Sequence, residues 1–327
     1  MESNIDIVYT WVDGADPNFQ SQFETSLKAV SSSPSQAAVS SQRFRDNEEL
    51  KYSLRSLEAF APWFRKVHIV TNQPTPRWLD LTNEKVSVVA HDVIFSNKSD
   101  LPTFNSNAIE SHLHRIPTLS KNFLYFNDDV FLGRAASLDD FMTAKGQYVF
   151  LQHIPLHSNL DEGPIHDRAY AYTQSLIDEL WGVRRPRLLP AHAPQLYDRD
   201  ILACLENLLP KEYRETSRHR FRSENDLVLR VLYSYYLLEC PEQRNRHKAK
   251  RLGFPNYRLV LMDDNSRRML RAFWKIRLLK PKFFCINDEL GDTSREHKTV
   301  VYLRRFLRSY FPRPSSFELR TQNIGSL

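Results

Sequence analysis

The sequence is poor in cysteine: Cys204, Cys240 and Cys285 are the only three in 327 residues, far apart and without a C-x-x-C pair. That scarcity argues against a disulfide framework and a zinc site, and fits a reducing compartment. No run reaches the roughly 18 to 20 consecutive apolar residues that a spanning helix needs. The amino terminus carries no basic stretch followed by an apolar one, so no signal peptide is expected, and membrane association would have to be peripheral. No repeat of solenoid period appears.

The sequence instead has ample material for a buried core, with 41% hydrophobic and 12% aromatic residues, as a globular chain does. Its formal charge is +6, with the basic residues gathered mostly in the second half. Such a balance suits a phosphorylated substrate, a polyanion or an acidic membrane surface without choosing among them.

Most informative is residues 124–133, LYFNDDVFLG, where an amide and two carboxylates interrupt an apolar run. Ionised carboxylates at a buried strand end are costly unless a cation or hydrogen-bond donors compensate them. The pattern returns at residues 5–16, IDIVYTWVDGAD, and at 283–289, FFCINDE, so three strands ending in acid or amide are expected to converge on one polar site. A hard cation such as Mg²⁺ takes oxygen ligands and joins carboxylates to phosphates. The bland alternative makes one carboxylate a cap and the other a surface group.

The order strand (5–12), helix (from an Asp46 N-cap through Leu50, Leu54 and Leu57 to Pro62), strand (67–70), strand (86–89) argues for a parallel α/β unit. Ligands of such units bind beyond the carboxyl ends of the strands. Residues 28–42 read as a mobile surface loop able to act as a lid, and Asn105-Ser106 as the cap of a helix carrying Ile109, Leu113 and Ile116. Three regions follow: an α/β core over 1–133, an insertion of helices and loops over 134–220, and a part over 221–327 that completes the core. The last contains a helix expected over Leu227 to Glu239, started by residues 223–226 with Ser223 as its N-cap.

Among candidate site residues, His192 sits between prolines in LPAHAP, on a stiff loop that leaves the ring free to act as a base; packing is its alternative. Arg222, just before Ser223, would receive phosphate at a helix start, or pair with Glu224 or Asp226. Arg43 and Arg45, beside Asp46-Asn47, would grip a diphosphate or form surface ion pairs. The basic segments lack interleaved aromatics, so no nucleic acid is expected.

With these residues laid out, the chain resembles the Stealth family. The resemblance rests on residues 5–17 (IDIVYTWVDGADP), 43–56 (RFRDNEELKYSLRS), 101–133, the His192 and 222–226 segments, and 282–289 (KFFCINDE). Stealth proteins are hexose-1-phosphate transferases, among them bacterial capsule polymerases and the enzyme that tags lysosomal glycoproteins with N-acetylglucosamine-1-phosphate. The resemblance implies an α/β fold, Rossmann-like or GT-A-like, with a mainly parallel sheet flanked by helices and a helical insertion. It implies transfer of a hexose-1-phosphate from a UDP-sugar to a glycan hydroxyl with release of UMP, in capsule or cell-surface polysaccharide synthesis. Mg²⁺ or Mn²⁺ would be held by Asp129 with Asp288, Asp128 and Asn287. Arg222 would clamp the phosphoryl oxygens, and His192, Asp16 or Asp128 would take the acceptor proton. Thr10, Trp11, Asp13, Arg43, Arg45, Asn47, Asn72, Asn105 and Ser106 would surround the donor. A metal-dependent glycosyltransferase releasing UDP and a polyanion- or membrane-binding protein are the competing readings. A cytoplasmic enzyme is expected, with residues 303–308 (LRRFLR) able to dock on the membrane or to pack in the core.

Overall fold

β-Branched and aromatic residues at 5–10 and 67–70 favour pleated strands, and the apolar stripe of residues 50, 54 and 57 favours a helix laid across them. A computed structural model describes residues 4–30, 34–293 and 296–319. Its first part contains β1 (Ile5–Thr10), α1 (Pro17–Ala29), α2 (Gln36–Val39), α3 (Glu49–Phe60), β2 (Val67–Val70), β3 (Val86–Val89), α4 (His91–Ile94), α5 (Ser106–Ser111) and β4 (Asn122–Asn127). β5 (Val130–Leu132), β6 (Tyr148–Pro155), α6 (Ile165–Trp181), β7 (Leu188–Pro190), β8 (Gln195–Asp198), α7 (Arg199–Leu208), α8 (Pro210–Arg218) and α9 (Leu229–Glu239) follow. The last part holds β9 (Lys248–Arg251), β10 (Tyr257–Met262), α10 (Ser266–Leu279), β11 (Phe283–Asp288) and α11 (Lys298–Tyr310).

The fold is mixed α/β with a mainly parallel central sheet flanked by helices. The sheet runs β3-β2-β1-β4-β8, parallel except for the antiparallel edge strand β8. Thr10 therefore lies in register with Val70 on one side and Asn127 on the other, which brings three strand ends to one edge. Alternation along β1 sends Ile5, Ile7 and Tyr9 into a core with Leu50, Leu54 and Leu57 of α3, and Val8 into a second core with residues of α6, α7 and α9. Between them Asp6 is fully buried, and its carboxyl accepts from Arg65 and the Ser120 N–H. Burial alone would raise this acid, but His68, Arg65 and Ser120 outweigh it and hold it down at about 2.

A second sheet runs β10-β11-β5, and a third β7-β6-β9. β4 belongs to the central sheet and β5 to the second, so Asp128-Asp129 is the turn by which the chain passes from one to the other. The Ser53 hydroxyl donates to the Val130 carbonyl at 2.5 Å and Ser56 accepts from the Leu132 N–H at 3.1 Å, which pins this junction to α3.

Several sequence expectations change. The helix expected from an Asp46 cap begins at Glu49; Glu48 takes a left-handed φ of 73°, and Asp46 accepts from the Glu48 N–H instead. The helix expected over Leu227 to Glu239 runs Leu229–Glu239, but Ser223 is not its N-cap: Asp226 folds 223–226 into a turn by accepting from the Ser223 N–H at 2.9 Å. Of the loop over 28–42, residues 28–29 end α1 and 36–39 form α2, while 31–33 lie outside the described residues. The segment 134–220 holds α6, α7 and α8 and also gives β8 to the central sheet. Leu303, Phe306 and Leu307 are buried, with Phe306 stacked on Phe273 at 5.0 Å, so the packing alternative holds for them. Among the described residues no helix is long and apolar enough to cross a membrane.

Candidate active site

β5 runs antiparallel to β11 with Val130 opposite Cys285, and the Ile286 N–H donates to the Asp129 carbonyl at 3.1 Å. Side chains alternate along β11, so Cys285 and Asn287 share one face and Ile286 and Asp288 the other. Cys285 Sγ and Asn287 Nδ2 each lie 3.3 Å from Asp129 Oδ2 and donate to it. Asp288 turns the opposite way and accepts from Arg45 at 2.7 Å and Asn47 at 3.2 Å. The strand ends thus converge, and of the four expected metal ligands Asp129 and Asn287 are joined directly by a hydrogen bond, while Asp288 is held by Arg45.

Asp129 Oδ1 faces His192 Nε2 at 3.5 Å, an ion-pair distance long for a hydrogen bond, and neither buried atom has a hydrogen-bond partner among the described residues. Burial alone would raise the Asp129 carboxyl, but His192, Cys285 and Asn287 outweigh it and hold it below its ordinary value. Its neighbour goes the other way. Burial first, then the charges of Asp129 and Asp46, push Asp128 well above the carboxylate range. Glu49, raised by burial and by Asp46 and Asp128, belongs to the same acidic group. Adjacent carboxyls with pKa values driven apart mark an electrostatically unbalanced site.

A divalent cation fits this imbalance. Asp129, His192 and Cys285 offer ligand atoms all within 4.8 Å of one another, and of these Asp129 Oδ1 is a carboxylate oxygen without a hydrogen-bond partner among the described residues. Carboxylate and amide oxygens such as those of Asp129 and its neighbour Asn287 suit a hard ion, while Asp128 stands outside this cluster among the described residues. Cys285 is a buried thiol whose pKa is raised by burial and by Asp129, so it serves the metal-free site as a neutral donor to that carboxylate.

A cationic wall complements the acids. Arg222 Nη2 donates to Ser106 Oγ at 2.7 Å, and its expected partners are engaged elsewhere: Glu224 with Arg168 at 2.7 Å, Asp226 with His219 at 2.8 Å. Arg222 owes its position to Asp226, which is fully buried and accepts from His219, Asn105, Asn107 and the Ser223 N–H. Arg43, half-buried, lies near Arg222, and partial burial and that guanidinium pull its pKa down to about 9. Two neighbouring half-buried guanidinium groups suit an anion. Glu110 links the halves: burial raises its carboxyl, while Arg230, Arg222 and His192 draw it back.

The other predicted residues occupy the same sheet edge in different ways. Thr10 Oγ1 meets Tyr125 Oη at 2.9 Å. The Asp13 N–H donates to Gln73 Oε1 at 2.6 Å, and the Asp13 carboxylate accepts from the Ala15 N–H. Asp16 caps α1 through the Phe19 N–H and, with Asn72, Gln73 and Phe104, lines a cleft of about 160 Å³. Trp11 is packed in the core at 8% exposure, and Asn105 is fully buried as the cap of α5 and a donor to Asp226. Arg45 ties Asp288 to the carbonyls of Gly291 and Thr293, and Asn47 donates to Glu49 and Asp288. Sequence reasoning missed Cys285, Glu110, Gln73, His219 and Asp226. Alternation along β11 would have paired Cys285 with Asn287; the others depend on long-range contacts.

Models of the Stealth protein conserved regions match the chain in order: region 1 over residues 3–23, region 2 over 43–150, region 3 over 191–239 and region 4 over 274–325. An exopolysaccharide phosphotransferase of Streptomyces coelicolor is 36% identical over 96% of this chain and 51% of its own length. The exopolysaccharide phosphotransferase CpsY of Mycobacterium tuberculosis is 34% identical over 96% of this chain and 58% of its own. The chain thus spans about half the length of the curated relatives it matches. Among solved structures, the galactosyltransferase LgtC in complex with donor and acceptor sugar analogues aligns with a TM-score of 0.45 and 9% identity, over 95% of this chain and 97% of that one.

Proposed function

The chain belongs to the Stealth protein family, and on that premise we propose that it is a sugar-phosphate transferase of exopolysaccharide synthesis. The donor is a nucleotide-sugar, a UDP-N-acetylhexosamine in the fullest form of the reading, and the acceptor is a sugar hydroxyl. The acceptor oxygen bonds to the β-phosphorus, the bond from that phosphorus to the bridging oxygen breaks, UMP departs, and a phosphodiester remains. The observation that carries this reading is the pair of buried atoms Asp129 Oδ1 and His192 Nε2, 3.5 Å apart, without hydrogen-bond partners among the described residues and beside a cationic wall.

Such a reaction needs in-line positioning and neutralisation of phosphate charge more than covalent chemistry. Arg222, held by Ser106, with Arg43 behind it, receives the phosphoryl oxygens. His192 Nε2, free of hydrogen-bond partners among the described residues, takes the acceptor proton. Asp128, Asp129 and Asn287 hold Mg²⁺ or Mn²⁺, with Asp288 fixing the loop behind them through Arg45. When bound, that ion supplies positive charge to the departing UMP. Thr10, Asp13, Asp16 and Asn72 line the nucleotide side along the sheet edge. Incubating the protein with a panel of nucleotide-sugars, Mg²⁺ and oligosaccharide acceptors tests the reading. Acceptor-dependent nucleoside monophosphate release is expected, and release of nucleoside diphosphate alone would overturn it in favour of a glycosyltransferase.

A further inference from the structure

α10 and α11 concentrate the positive charge of the molecule. Together they carry Arg267, Arg268, Arg271, Lys275, Arg277, Lys298, Arg304, Arg305 and Arg308 and no acidic residue, so with a chain charge of +6 the rest of the protein is net acidic. α10 buries one face through Met269, Ala272, Phe273 and Ile276. Its opposite face is unusual for a solvated helix: Leu270, Trp274 and Leu278 are 47%, 60% and 62% exposed. They recur at every fourth residue and so form one continuous ridge, and Arg267, Arg271 and Lys275, at the same spacing, form the ridge beside it. Arg277 donates to Ser309 of α11, which puts the exposed Arg305 and Arg308 on the neighbouring helix.

We propose that the exposed face of α10, with α11 beside it, is a docking surface for an anionic lipid bilayer. An amphipathic helix lying in the plane of a membrane has this composition: Trp and Leu enter the boundary between headgroups and acyl chains, and Arg and Lys meet anionic headgroups. A soluble polyanion would be matched by the cations but gives the Leu270-Trp274-Leu278 ridge nothing to bury. The surface differs from residues 303–308, whose apolar members pack inward. It is independent of the transferase reading.

The test uses the whole chain, sedimented with vesicles of phosphatidylcholine alone or mixed with phosphatidylglycerol. Binding is expected only to the mixed vesicles and should fall as salt rises. Reversing Arg267, Arg271 and Lys275 to Glu lowers the partition coefficient by roughly 100-fold, and Trp274→Ser lowers it by roughly tenfold. Equal binding to both vesicle types, or full binding by the Trp274→Ser protein, would overturn the proposal. So would wild-type binding to soluble polyphosphate that matches binding to the anionic vesicles and survives Trp274→Ser, since that result assigns the face to polyanions. Self-association abolished by Trp274→Ser without vesicle binding would assign it to a second copy of the chain.

Discussion

The two walls of the candidate site are built by different means. The acidic wall, Asp128 and Asp129 against Asn287 and Cys285, is fixed by backbone: a turn between two sheets and the antiparallel register of β5 with β11. The cationic wall is fixed by side chains, since Arg222 stands on an irregular segment whose shape depends on one buried carboxylate, Asp226. A wall set by register should tolerate replacement of its functional groups without unfolding, whereas a wall set by a hub should lose geometry and stability together.

The largest expected effect is on the acidic wall. Asp129→Asn keeps the shape and removes the charge, and should lower the transfer rate by roughly 1000-fold, the order seen when a charge-stabilising group is lost. Normal turnover by a correctly folded variant would remove Asp129 from the chemistry. The same wall predicts a pH signature of the chelated protein. Because Asp128 and Glu49 are raised, chiefly by burial, the stability they contribute is present below the ordinary carboxyl value of about 4 and is lost as pH climbs through their folded-state values. The melting temperature should therefore fall as pH rises towards neutrality and recover on adding Mg²⁺. The recovery should vanish in Asp129→Asn. A flat profile, or equal recovery in that variant, would break the link between the acids and a cation.

Next comes Arg222→Lys, which keeps the charge and loses the planar fork. A loss of roughly 100-fold in rate with little change in melting temperature is expected; retention of rate would reduce Arg222 to a point charge. The smallest rate effect belongs to Asp226→Asn. Its new amide faces donors from Asn105, Asn107 and Ser223, so stability should drop by about 1 to 3 kcal/mol and the rate by about tenfold. Equal stability to the wild type would show that the two walls are not held differently.

The same contrast separates what local sequence encodes from what it does not. Residues 5–12 and 124–133 carry their strand signal in local composition, so the sheet edge and its acids are legible in the sequence alone. The helix over 229–239 is legible, but the Ser223 cap is not, because Asp226, which looks like a first-turn acid, makes its decisive bonds to residues more than 100 positions away. Arg45 and Asp288, each a separate candidate, are one ion pair 243 residues apart in sequence. Local pattern names the residue types of the site; only tertiary pairing says which of them hold the scaffold and which keep free atoms for a ligand.

The most direct test of the central claim follows the β-phosphorus of the donor. With a UDP-sugar labelled at that atom and an oligosaccharide acceptor, the account predicts that label enters the acceptor as a phosphodiester in step with unlabelled UMP. Label recovered wholly in UDP, with the sugar joined to the acceptor by a glycosidic bond, would contradict it.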